Sequence, residues 1–250
     1  GGIPKYAVVS LGLSERWEAE DVESLYEGMN RCAETFGCSI VGGDTVRSKG
    51  GCFLSVAVVG EVEETCLVRR GGASERDLLC VTGVLGGARV GLDVLASGAM
   101  RSDFQDAVAR FLEPRPRVKE VRQLVKELSV SSMIDISDGL SSEAHHLCES
   151  SGLGCLMDED QIPVSEDAIR WVEYKGGDPM AYALESGEEY ELLFTVDRAS
   201  YERWDRKASA EGRPDVFVIG EMTRKENGIR MRKGGKTKTL SRKGWDHFGS

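Results

Sequence analysis

The chain has 250 residues, 40% of them hydrophobic and 30% charged, which suits a globular protein of two compact domains or one large one. Its formal net charge of −10 argues against a nucleic-acid surface or an anionic membrane as partner. No apolar run approaches the length of a membrane span, and no signal peptide is visible.

The chain opens Gly1-Gly2-Ile3-Pro4 without a Met, and Tyr6 to Leu11 reads at once as a strand. So abrupt a start predicts that a preceding segment has been removed or not recorded; a tag scar on a complete domain is the other reading. Val22, Leu25, Tyr26, Met29, Cys32, Ala33 and Phe36 form a helical stripe from Glu20 to Phe36, which Gly37 terminates. A short strand follows at Ser39-Ile-Val41, then Gly42-Gly43-Asp44-Thr45. Phe53 to Gly60, apolar and β-branched, reads as a buried strand. This order predicts half of an α+β sandwich.

The charged, Gly-containing stretch from Glu61 to Asp77 predicts a domain boundary, dividing the chain into residues 1–64 and 65–250. Leu78 to Thr82 opens the second domain as a strand, and Gly83, Gly86 and Gly87 precede a helix. Ser102 is placed to cap a helix whose core face is Phe104, Val108, Phe111 and Leu112. Pro114 and Pro116 interrupt it, and Val118 to Leu128 resumes helical spacing. A strand ends at Ile134, and Ala144, Leu147 and Cys148 follow Leu140 on a helix. Further strands are predicted near Gly154–Met157, Leu192–Val196, Val216–Ile219 and Ile229–Arg232, with helices at Ser165–Tyr174 and Ser200–Ala210. The basic residues from Arg224 to Lys243 fit a solvated hairpin. Seven scattered cysteines without a Cys-x-x-Cys pair indicate neither a zinc site nor a disulfide framework, and point to a reducing cytoplasm.

Asp135-Ile-Ser-Asp138-Gly-Leu140 places two carboxylates and a hydroxyl between a strand's carboxyl end and a helix's amino end, where phosphates and their metal ions are commonly held. An ordinary N-cap followed by a Gly turn fits the same residues. Gly42 and Gly43 let the backbone approach a ligand and Asp44 is a hard oxygen donor, although a Gly-Gly-Asp turn between strands explains them equally. Arg70 beside Gly71 and Gly72 offers a guanidinium to a phosphate, or is a plain surface loop. Glu188, Glu189 and Glu191 around Tyr190 suit a cation, or are solvated acids before a strand. Trp245, His247 and Phe248 make either an aromatic clamp or a platform for a flat or cationic ring. No Walker loop or dinucleotide-binding glycine fingerprint occurs, so phosphate chemistry here rests on acidic residues and divalent metal.

Taken in order, Gly42–Thr45, Arg70, Pro114-Arg-Pro-Arg117, Asp135–Leu140, Gly187–Leu192 and Gly244–Phe248 resemble the thiamine-monophosphate kinase family of the aminoimidazole-ribonucleotide-synthetase-like superfamily. The resemblance implies that superfamily's two-domain fold, of α+β and α/β character, with the N-terminal domain shortened. It implies direct transfer of the ATP γ-phosphoryl group onto thiamine monophosphate, with several Mg²⁺ ions as cofactors. Asp44, Asp135 and Asp138 match metal ligands; Gly43, Asp44, Arg70, Ser137 and Tyr26 match contacts to ATP; Glu188 and Trp245 match thiamine-binding positions. It further implies a cytoplasmic homodimer. Glu189 stands where the family often has Asp, and the family's opening segment, with its Gly-Asp-Asp and Thr-Asp motifs, is absent. The alternatives are another enzyme of the superfamily and a truncated remnant that binds nucleotide without transferring phosphate.

Overall fold

Burial alternates along the middle of Ile3–Leu13, which forms strand β1, with Ala7, Val9 and Leu11 buried and Tyr6 and Val8 exposed. The computed structural model describes residues 1–99, 101–206 and 214–244, and the chain divides into Gly1–Leu67 and Val68–Ser250. In the first unit β1 runs parallel to β2 (Ser39–Arg47) and antiparallel to β3 (Phe53–Glu61), giving the order β2-β1-β3. Helix α1 (Ala19–Thr35) starts from a capping box in which Asp21 accepts the Glu18 N–H at 3.0 Å. Its apolar stripe packs along β2, and Val22, Leu25, Tyr26 and Met29 are half-buried.

Two expectations change here. The Phe53–Gly60 run is a strand but not a buried one: every residue of β3 is exposed, with Val58 at 59% and Val59 at 62%. β3 is an edge strand hydrogen-bonded only to β1, and its β-branched residues reflect pleated backbone rather than burial. The Gly42–Thr45 stretch is not a turn, because β2 runs straight through it to Arg47.

The second unit is built on a mixed sheet, ordered β10-β9-β6-β8-β4-β7-β5 among the described residues. Its strands are β4 (Leu78–Thr82), β5 (Val130–Asp135), β6 (Gly154–Asp158), β7 (Leu192–Val196), β8 (Val216–Thr223), β9 (Ile229–Lys233) and β10 (Lys236–Thr239). β9 and β10 form the exposed basic hairpin. Side chains of β4 alternate between two cores: Leu79 and Val81 enter one, Leu78 and Cys80 the other. α5 (Leu140–Ser151) and α7 (Pro179–Glu185) fill the first core with Leu140, Ala144, Leu147 and Ala183. α4 (Val118–Glu127) and α8 (Arg198–Asp205) supply Val121, Leu124 and Trp204 to the second. α2 (Gly87–Ser97), α3 (Gln105–Leu112) and α6 (Glu166–Lys175) pack Val90, Ala107 and Trp171 into a third.

Ser102 does not cap α3. A 3₁₀ turn over Arg101–Phe104 precedes that helix, and the Ser102 hydroxyl is directed to Asp103. Among the described residues no helix is long and apolar enough to cross a membrane. All seven cysteines are unbridged.

Candidate functional site

In the first unit a β-bulge sets the geometry. Ala7 pairs with Ile40 but Val8 pairs with Gly42, so Val41 is an extra residue on β2. The strands are so close beyond it that a Cβ on Gly43 would lie 1.7 Å from the Val9 carbonyl oxygen. Only glycine fits there. A cleft of about 470 Å³ is lined by Tyr26 and Asn30 from α1 and by Gly43, Asp44 and Thr45 from β2. Tyr26, Gly43 and Asp44, 18 residues apart at the extremes, therefore share one surface. Asp44 is exposed, and its Oδ1 accepts the Thr45 N–H at 2.9 Å.

In the second unit three distant motifs converge on Ser137 and Asp138. Asp135 ends β5, and the next residues continue a ladder with the segment before β7. Ile136 N–H donates to the Glu191 carbonyl (2.8 Å), Tyr190 N–H to that of Ile136 (2.9 Å) and Glu188 N–H to that of Ser137 (2.8 Å). Glu188 and Tyr190 hold φ of 63° and 51°, a left-handed conformation costly for side chains of this size. Gly187 is pressed so close that a Cβ would stand 2.8 Å from the Ser137 carbonyl oxygen, and one on Gly244 would stand 2.4 Å from that of Asp138. The chain end is fixed there by the Ser141 hydroxyl, which donates to the Ser241 carbonyl at 2.9 Å and accepts the Lys243 N–H at 3.2 Å. Trp245, the next residue but one, lies outside the described residues, as do His247 and Phe248.

Neither aspartate caps α5. The N-cap is Gly139, at φ 122°, and no side chain caps the helix at that position. Instead Glu143, from the first turn, accepts the Asp138 N–H on Oε1 at 3.3 Å. Burial pushes the Glu143 carboxyl up to about 7; that N–H pulls it down, while the charges of Asp138 and Asp135 push it further up. Its Oε2 is buried and has no hydrogen-bond partner. The Tyr190 hydroxyl donates to Glu188 Oε2 at 3.0 Å, and its phenol is raised to about 12 by burial first, then by Glu188, Asp135 and Asp138. Asp135, Asp138, Glu143 and Glu188 thus share one acidic neighbourhood. Among the described residues no three His, Cys, Asp or Glu side chains stand close enough to form a ready metal cage.

Arg70 is exposed and its charge reaches His146, whose imidazole is lowered by burial and then by Arg242 and Arg70, against the opposing pull of Glu149 and Asp138. Arg242 Nη2 and His146 Nε2 are 2.7 Å apart. A basic group therefore borders the aspartates, the pairing of charges that a metal-bound polyphosphate requires.

The carboxylates around Tyr190 do not act together. Glu188 is exposed at the site. Glu189 is buried at the start of α2, where Oε1 accepts from the N–H groups of Gly86 (2.9 Å) and Ala88 (3.0 Å) and from the Ser186 hydroxyl (2.6 Å). Glu191 is fully buried, held by both arms of the Arg117 guanidinium and by the Thr82 hydroxyl at 2.7 Å. The Pro-Arg-Pro-Arg117 motif is thereby a structural one in its last arginine. Glu143 went unnoticed in the sequence although it completes the stripe Leu140, Glu143, Ala144, Leu147, where a carboxylate is out of place.

Models of the AIR synthase related protein N-terminal and C-terminal domains match residues 1–62 and 77–232. The thiamine-monophosphate kinase of Aquifex aeolicus is 36% identical over 250 residues, covering 99% of this chain and 76% of that protein. That of Bacillus subtilis is 30% identical over 259 residues, covering the same shares of 99% and 76%. The solved structure of AaThiL complexed with AMPPCP and TMP superposes with a TM-score of 0.85 at 34% identity, over 99% of this chain and 75% of that one. With the AIR-synthase-related fold over both units, and these identities over nearly its whole length, the chain belongs to the thiamine-monophosphate kinase family of phosphotransferases.

Proposed function

We propose that this chain transfers the γ-phosphoryl group of ATP to the phosphate of thiamine monophosphate, forming thiamine diphosphate and ADP. The observation that carries this reading is the convergence of Asp135, Ser137 and Asp138 with Glu188, and of Arg70 and Arg242 about His146 nearby. The relative whose solved structure holds AMPPCP and TMP supports it. In the transfer a phosphate oxygen of thiamine monophosphate bonds to the γ-phosphorus as the bond to the β,γ-bridging oxygen breaks, without a covalent enzyme intermediate.

Gly43, Asp44, Tyr26, Arg70 and Ser137 take the nucleotide; Glu188 and Trp245 take the thiamine, a carboxylate and an indole suiting its cationic ring. Asp44, Asp135 and Asp138 hold Mg²⁺. The residues fit such ions: they are oxygen donors, Asp135 and Asp138 are not used as helix caps, and a buried orphan carboxylate oxygen stands behind them. Mg²⁺ held there would supply charge neutralisation for the two polyanions and the developing transition state. The protein's own part is alignment: the left-handed Glu188 and Tyr190 and the close-packed Gly187 and Gly244 fix the aspartates' backbone.

Seven unbridged cysteines support a reducing cytoplasm, and the open apolar face of the β2-β1-β3 sheet supports a homodimer. The decisive test is a coupled assay with ATP, Mg²⁺ and thiamine monophosphate. Asp135→Asn is expected to lower kcat by roughly 100-fold or more with an unchanged melting temperature. Unaltered turnover in that variant removes the assignment.

A further inference from the structure

Glu143 lies on the face that α5 turns to the core, between Leu140 and Leu147, and is 1% exposed. Burying a carboxylate oxygen that meets no donor or cation costs free energy. Oε1 meets the Asp138 N–H, while Oε2 has no hydrogen-bond partner among the described residues. The charged groups that act on it are Asp138 and Asp135, both of its own sign. An apolar residue of similar shape would fill the stripe without that cost, so packing does not account for a carboxylate here. Among the described residues no donor reaches Oε2, and the side on which one is wanted is that of the two aspartates.

Building on the kinase reading, we propose that Glu143 is a positioning residue for the metal centre, its Oε2 accepting a hydrogen bond from a water carried by the divalent cation at Asp135 and Asp138. Oε1 holds the Asp138 backbone, and Oε2 orients the hydrated ion. A carboxylate that holds a ligand's backbone and the ion's water shell acts on the metal without ligating it.

Glu143→Gln separates acceptor from donor and from backbone clamp. The amide oxygen still accepts the Asp138 N–H, which prevents the amide from flipping, and the NH₂ then replaces Oε2 with a donor. Mn²⁺ binding to the nucleotide-free 250-residue chain, followed by electron paramagnetic resonance, is expected to weaken about 10- to 100-fold in Glu143→Gln. Thermal melts in EDTA are expected to be no lower than wild type, showing that the loss is not one of folding. Wild-type Mn²⁺ affinity in Glu143→Gln overturns the proposal; if Glu143→Ala is then impaired, the side chain is a backbone clamp only. Asp135→Asn and Asp138→Asn test the metal site itself. Unchanged affinity in both removes that site and this proposal together, whereas losses in those two but not in Glu143→Gln overturn this proposal alone.

Discussion

At the scale of single residues, the Gly187–Leu192 motif shows how neighbouring carboxylates acquire separate tasks. Backbone alternation sends Glu189 and Glu191 inward and leaves Glu188 outside. Burial raises the Glu189 carboxyl to about 7 from an ordinary 4.5, against the Ser186 hydroxyl, the Ala88 and Gly86 N–H groups and Arg110, which lower it. A carboxyl raised by folding binds its proton more tightly in the folded state, so its stabilising contribution is full below about pH 4.5 and is lost as pH rises through about 7. Glu189→Gln keeps the acceptor for α2 and cannot ionise. It is therefore expected to match wild type near pH 4.5 and to exceed it near pH 8 by on the order of 1–3 kcal/mol in urea denaturation. Equal stability of the two proteins near pH 8 would show that the native carboxyl is not raised.

At the scale of elements, the Arg117–Glu191 pair ties the start of α4 to the start of β7. Glu191 is fully buried and Arg117 is about a quarter exposed, with its guanidinium meeting both carboxylate oxygens. Arg117→Ala leaves a desolvated charge with only the Thr82 hydroxyl and the more distant Arg110 guanidinium, 3.8 Å away, and is expected to cost about 3–5 kcal/mol in chemical denaturation. Arg117→Lys recovers only part of that, because an ammonium does not reproduce the two-armed contact. Most elements were legible from periodicity, which is a local property. α7 was not anticipated, although Asp178 and Pro179 are a sound start signal and the Asp178 side chain does accept the Met180 N–H. In the site, the aspartates of Asp135–Leu140 were legible because they are contiguous, and Glu143 was legible in principle from its place in an apolar stripe. The contact of Gly244 with Asp138 and the placing of Arg242 against His146 were not, since both depend on the chain end folding back over α5.

At the scale of the whole molecule, the sheet of the first unit presents Tyr6, Val8 and Val59 on a face that its own helix does not cover. β3 resembled a core strand because its composition fits one; only the count of neighbouring strands distinguishes an edge from a centre. If a second copy covers that face, sedimentation will give twice 27.3 kDa, and Val59→Lys will give the single mass. A persistent dimer in that variant places the interface elsewhere. The bulge at Val41 bears on the same sheet through parity. Ile40 and Asp44 are four positions apart, so a regular strand would put them on one side, with Asp44 opposite Leu11 on the buried face. The extra residue reverses the count, and Asp44 instead stands opposite Ser10, on the side of Tyr6 and Val8. One unpaired residue thus keeps the carboxylate out of the unit's own core and decides which side of the sheet bears its charge.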